Sequence, residues 1–266
     1  MLTVIDYLGN ITFRVVRLGS GLLGFAYSAA RSPFVERGLG SRVFGHVLRK
    51  QVYFTGIQAL PIIFITALVF GSTLIVPMAF ALHMVGMTSL AWPAVIFVLI
   101  RQFSPLLLAI IVIARSGAAV ATEISYMKLN NELQAMDAMG MNTDYIVVLP
   151  RLLGITVATT VLYIAFNVFA ILGGYAVAKA ALLEARFLDL GIFFQTLHIL
   201  DIAEGVIKAV VFGLSIAMVS TYQGFTLKRS MTEIPQIATR GVVQSILLCF
   251  ILNFIITLVF LLGRGS

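Results

Sequence analysis

Arg101 is the one charge in a run that is otherwise uncharged from Ala91 to Ala114. Counted from Pro93, it sits about 12 Å into a helix. A charge at that depth in hydrocarbon costs roughly 2.5 kcal/mol or more, unless it snorkels or faces a wet cavity. The chemistry open to it is that of a planar fork fitting a phosphate oxygen pair. Lys208 follows Glu204 by one helical turn, so it is either half of an ordinary ion pair or a second cation for an anionic group. A third group, Glu123, Lys128, Glu132 and Asp137, breaks the apolar pattern over residues 113–142. Catalytic patterns are lacking. There is no G-x-x-x-x-G-K-[ST] for a nucleotide. His46, His83 and His198 are too dispersed to suggest a metal site. No nucleophile elbow, deep acidic pair or second cysteine beside Cys249 is present.

The elements that must position these residues are membrane-spanning helices. The 266 residues are 60% hydrophobic and 11% charged, against about 25% charged in a soluble domain. Too few charges remain to cover a globular surface, so lipid is the solvent for most of the chain. Residues 4–25 carry Val4, Leu8, Ile11, Val15, Leu18, Leu22 and Phe25 on one side, with Asp6, Asn10, Arg14 and Arg17 on the other. That pattern predicts an amphipathic helix lying in the interface, and no secretory signal pattern is apparent there. A basic elbow with Arg31, Arg37, Arg42, Arg49 and Lys50 completes an N-terminal unit, 1–50, ahead of a permease-like unit, 51–266.

The uncharged run from Val52 to Leu82 could reach about 47 Å as a helix, beyond the roughly 30 Å hydrocarbon core. Pro61 and Pro77 are its natural kink points. Further spans are expected over 93–114, 152–178, 204–227 and 241–263, with one short surface helix within 179–201. This is an all-α integral membrane fold of one interfacial helix and five spans. With the N-terminus in the cytoplasm, thirteen of the eighteen Lys and Arg fall on inner segments. The net charge of +7 is then that of cytoplasmic loops and gives no reason to expect nucleic acid.

The polar segment accordingly faces the cytoplasm, helical on both sides of Leu129–Asn130–Asn131. Val120, Ile124 and Met127 share a face. Asn131 and Gln134 are placed as a helix start, Leu133, Met136 and Met139 as an apolar stripe, and Gly140 as the stop. Such a segment either rests on headgroups or docks into a groove on another protein.

The stretches "RQFSP" (101–105), "ARSGAAVATEI" (114–124), "NELQAMDAMGMN" (131–142) and "LPRLLG" (149–154) resemble the MlaE-type (YrbE-like) permeases. The similarity extends from about residue 95 to 260. These permeases are the membrane subunits of ABC transporters that work with MCE-domain lipid-binding proteins. The resemblance implies a permease subunit and not an enzyme, moving phospholipid or a related lipid at the bacterial inner membrane. It implies a homodimer, with ATP and magnesium held by a separate cytoplasmic ATPase and no cofactor on this chain. Residues 117–140 would be the coupling segment: Glu123, Glu132 and Asp137 toward the ATPase, and Met127, Leu133 and Met136 as the apolar contact. Arg101, Gln102 and Lys208 would line the lipid cavity. The family commonly has Glu where this chain has Gln102, which would leave Arg101 freer to hold an anionic headgroup. The reading of a different class is an ion-gradient-driven secondary transporter or channel.

Overall fold

A computed structural model of the protein describes residues 41–181, 190–227 and 230–264. The interfacial helix expected over 4–25, the first part of the basic elbow, and Glu184, Arg186 and Asp189 lie outside the described residues. Every regular element among the described residues is helical. In chain order they are α1 (Ser41–Thr55), α2 (Leu60–Met84), α3 (Ala91–Leu129), α4 (Glu132–Ala138), α5 (Asp144–Ala180), α6 (Leu190–Thr196), α7 (Ile199–Phe225) and α8 (Ile234–Arg264).

Five helices are long and apolar enough to cross a membrane: Val43–Met84, 42 residues of α1 and α2 together, then α3, α5, α7 and α8. They alternate in direction. One end of the bundle gathers α4 with the C-termini of α3 and α7. The other gathers α6 with the C-terminus of α5 and the N-terminus of α7. These are called the α4 end and the α6 end below.

The long first run does not break where its prolines stand. It breaks at Gly56, where a single 3₁₀ turn, Ile57–Ala59, separates α1 from α2. Pro61 falls in the first turn of α2, where a missing N–H costs nothing. Pro77 lies inside α2, which runs on to Met84. Arg115 explains the position of the break. Its Nη1 donates to the Phe54 carbonyl at 2.7 Å and its Nη2 to Gln58 Oε1 at 3.1 Å. Its guanidinium lies over the Phe54 ring at 4.8 Å. The carbonyl exposed where α1 ends is thus capped from α3. The distal half of the expected elbow is helical, and α1 continues through it to rest on the start of α5, with Phe44 and Tyr145 stacked at 5.3 Å.

The core forms where backbones approach closely, as expected for helices that share an apolar solvent with their own side chains. At Gly71 on α2 an added Cβ would lie 2.1 Å from the Ala170 carbonyl oxygen on α5. At Gly205 on α7 it would meet the Tyr163 hydroxyl at 1.8 Å. Helix α7 is therefore the inner post, packed by α3, α5 and α8. Helix α8 is the opposite case: only 6% of its apolar window is buried.

Gly71→Val must push α2 off α5. The expected cost is about 1–3 kcal/mol, read as a lower melting temperature of the purified protein in detergent. Val69→Ile, on the exposed side of the same helix, leaves the melting temperature unchanged.

Candidate functional site

The sequence Arg101-Gln102-Phe103-Ser104-Pro105 sets the local geometry of α3. Pro105 has no N–H, so it returns no bond to the carbonyl four or five residues back. Those acceptors are Arg101 and Ile100. The helix here widens into a π stretch, Ile96–Phe103, of the kind often found at functional sites. Side chains replace the missing donors. Lys208 Nζ donates to the Arg101 carbonyl at 2.8 Å, and the Tyr163 hydroxyl donates to the Ile100 carbonyl at 3.1 Å.

Asp201, Glu204 and Lys208 occupy one face of α7, spaced by three and four residues. Asp201 also takes the backbone N–H of His198 at 3.1 Å, capping the helix start. The Arg101 guanidinium reaches across from α3. Its Nη2 donates to Asp201 Oδ1, and its Nη1 stands 3.8 Å from Glu204 Oε2. Glu204 Oε1 accepts from Lys208 Nζ at 2.8 Å. Two cations and two anions make the cluster formally neutral. Lys208 is fully buried, and the Arg101 side chain is 15% exposed.

Two of the three residues expected to line the cavity are held by partners in their own chain. Lys208, fully buried, donates to Glu204 and to the Arg101 carbonyl of α3. Arg101 is held by two carboxylates and is not the free cation that the loss of a neighbouring Glu implied. Its negative partners come from 100 and 103 residues further along the chain. Gln102 lies on a different side of α3 and faces α8. It donates to Thr257 Oγ1 at 3.3 Å and accepts from Asn253 Nδ2 at 3.3 Å. Asn253 Oδ1 is buried there without a partner among the described residues. The small polar patch of Gln102, Asn253 and Thr257 stands beside the broad exposed apolar surface of α8.

At the α4 end, the first part of the expected coupling segment is helical, as the sequence suggests, and continuous with the span before it. Helix α3 runs unbroken to Leu129, so only Glu132–Ala138 forms a separate element. Asn131 is at the N-cap with φ 58°, yet its side chain makes no capping bond. Gly140, at φ 73°, ends α4 as expected, and Met141 N–H returns to the Met136 carbonyl at 3.0 Å. The apolar residues assigned to docking turn inward. Leu133 is buried, while Met127 and Met136 pack against the bundle core. Two residues of the expected stripe, Leu133 and Met136, thus seat α4 on its own chain.

What α4 presents outward is Glu132, Asp137 and Met139, the last 65% exposed. Glu123 is half-exposed and pairs with the buried Arg151 at 3.1 Å. Lys128 Nζ donates to the Phe225 carbonyl, tying the end of α7 to α3. One continuous helix therefore joins the acidic α4 surface to the Arg101 cluster.

The Permease MlaE family profile matches residues 48–259, which takes in three of the five spans whole and most of the first and last. The chain belongs to the MlaE permease family. Among its relatives, an intermembrane phospholipid transport system permease protein MlaE of Haemophilus influenzae is 28% identical over 263 residues, covering 93% of this chain and 97% of the relative. Probable ABC transporter permease proteins of Rickettsia typhi and Rickettsia bellii are similar as well. The first is 28% identical over 211 residues, 79% of this chain and 82% of the relative. The second is 26% identical over 258 residues, 97% and 98%. The MlaE-type permease is thus a multi-pass membrane protein and a transporter subunit, as the resemblance of its central motifs implied.

Tyr163, Asp201, Ser104 and Asn167 were not singled out by sequence reasoning, although the 201, 204 and 208 spacing and Pro105 both pointed to the cluster. Lys208→Met leaves Glu204 buried and without its lysine, which should cost about 3–5 kcal/mol in an unfolding titration. The pair Glu204→Gln/Lys208→Met should recover most of that loss. A single variant as stable as the parent would mean the pair is not buried as described.

Proposed function

We propose that this MlaE-type permease moves phospholipid or a related lipid through the membrane, driven by a separate ATPase subunit that holds ATP and magnesium. The observation that carries this reading is the likeness to the Haemophilus influenzae phospholipid permease over 93% of the chain. The α4 end is the cytoplasmic end, and Glu132, Asp137 and Met139 form the surface that the ATPase grips, with Glu123 beside it. The exposure of these residues and the rigidity of α3 behind them support this assignment. Movement of the ATPase would pass along α3 to the π stretch that carries Arg101 and Gln102.

Two copies pair, and an MCE-domain protein exchanges lipid at the α6 end, in the bacterial inner membrane. Support for pairing is the bare apolar face of α8. A helix with 6% of its window buried contributes little to enclosing a two-tailed lipid within one chain. Within the lipid path we place Gln102, with Asn253 and Thr257 beside it. Arg101 and Lys208 act behind that wall by holding α3 to α7.

The test is co-purification. Charge reversal in Glu132→Arg/Asp137→Arg should abolish recovery of an ATPase with the tagged permease while its melting temperature stays unchanged. Undiminished ATPase recovery would contradict the proposed surface. A cysteine replacing Met139 should react with a membrane-impermeant maleimide only after the cells are lysed, and labelling of intact cells would reverse the orientation.

A further inference from the structure

Away from the Gln102 side of α3, the bundle has a hollow. It is a slot of about 360 Å³ between α5, α6 and the first turn of α7, floored by Ile100 and Tyr163. Nothing from α2 or α8 contributes to it, so it is separate from the surfaces assigned to pairing and to the lipid path. We propose that this slot binds one acyl chain of a membrane phospholipid from the leaflet at the α6 end.

Shape is the first argument. Ile164, Val168 and Leu172 line it at four-residue intervals, a straight stripe about 12 Å long parallel to the helix axis. A hydrocarbon chain lying along the membrane normal matches such a groove. The stripe begins near the middle of α5 and rises toward the α6 end.

Chemistry is the second. Two polar side chains stand in the wall, and both are spent on the protein. Tyr163 donates its hydroxyl to the Ile100 carbonyl at 3.1 Å. Asn167 accepts from the Ser104 hydroxyl at 2.7 Å and donates to the Tyr163 carbonyl at 2.8 Å. What remains facing the slot is carbon, so the ligand must be hydrocarbon.

The rim gives the third. Ile164, Val168, Leu172 and Phe194 are exposed, the last at 70%, and all are branched or aromatic. A partner transmembrane helix prefers small residues that let backbones approach, and it needs a face close to 20 residues long. The slot offers two turns with a bulky margin. Lipid tails, which surround this part of the chain, fit it better. A chain seated there rests on Ile100 and Tyr163, directly behind the π stretch that carries Arg101.

The experiment uses the full chain in phosphatidylcholine vesicles doped with a phosphatidylcholine bearing a mid-chain diazirine. After illumination, adducts are mapped by peptide mass spectrometry. Adducts at Val168, Leu172 and Phe194 should exceed those at Val157 and Val161, equally exposed positions on the other half of α5, by several-fold. Val168→Trp, which fills the slot from its exposed rim, should lower adducts at Leu172 and Phe194 several-fold without changing those at Val161 or the melting temperature. Labelling spread evenly along α5, or labelling at Leu172 indifferent to the tryptophan, would mean ordinary bulk lipid and overturn the proposal. Protection of Val168, Leu172 and Phe194 from label by a co-purifying polypeptide would also overturn it and assign the slot to a neighbouring helix.

Discussion

A proline that cannot donate governs the centre of this molecule. Pro105 leaves the Ile100 and Arg101 carbonyls short of backbone partners, in a region where no water is at hand to replace them. The protein answers with a lysine and a tyrosine from two other helices. A buried lysine then requires an anion, and Glu204 supplies it. Arg101 is drawn to Asp201 and Glu204 in turn. Each charge in the cluster is there because another would be intolerable alone. The outcome is a neutral knot tying α3, α5 and α7 together, where isolated charges are expensive and most in need of exact pairing.

The opposite end is organised by the same need to satisfy exposed backbone groups. Arg115 caps the carbonyl at the end of α1. Lys128 does the same for the end of α7. Arg151, itself buried, holds the Val147 carbonyl at 2.7 Å and Glu123 at 3.1 Å. Basic residues that read from sequence as markers of topology are also the fasteners of helix ends. The surface left over for a partner is correspondingly narrow, carrying acid at Glu132 and Asp137 and one bare methionine at Met139.

The five spans were legible because each is a long apolar run whose ends are set by polar breaks, and the end of α4 was legible in Gly140. The bend in the first run was not, because it depends on Arg115, almost sixty residues away from Gly56. Residues 117–129 read as a helix, but as one set apart from the 93–114 span because their acids interrupt the apolar pattern; packing of Val120 and Ile124 against α7 keeps them continuous with that span. The stripe of Leu133, Met136 and Met139 was visible as a stripe, but periodicity does not say which of its residues face a partner and which its own bundle. The Arg101 problem was visible too, as a costly charge. Its solution lay in the 201, 204 and 208 spacing, which becomes meaningful only once α7 is laid beside α3.

Arg101 is neutralised by Asp201 and Glu204 of its own chain, so the proposed lipid binding should not depend on its charge. The direct measurement is phospholipid phosphorus per protein in the purified Arg101→Met/Asp201→Asn variant, which removes one cation and one anion together. Its lipid content should equal that of the parent protein. Loss of bound phospholipid from a variant that still melts at the parent temperature would contradict it and return Arg101 to the headgroup.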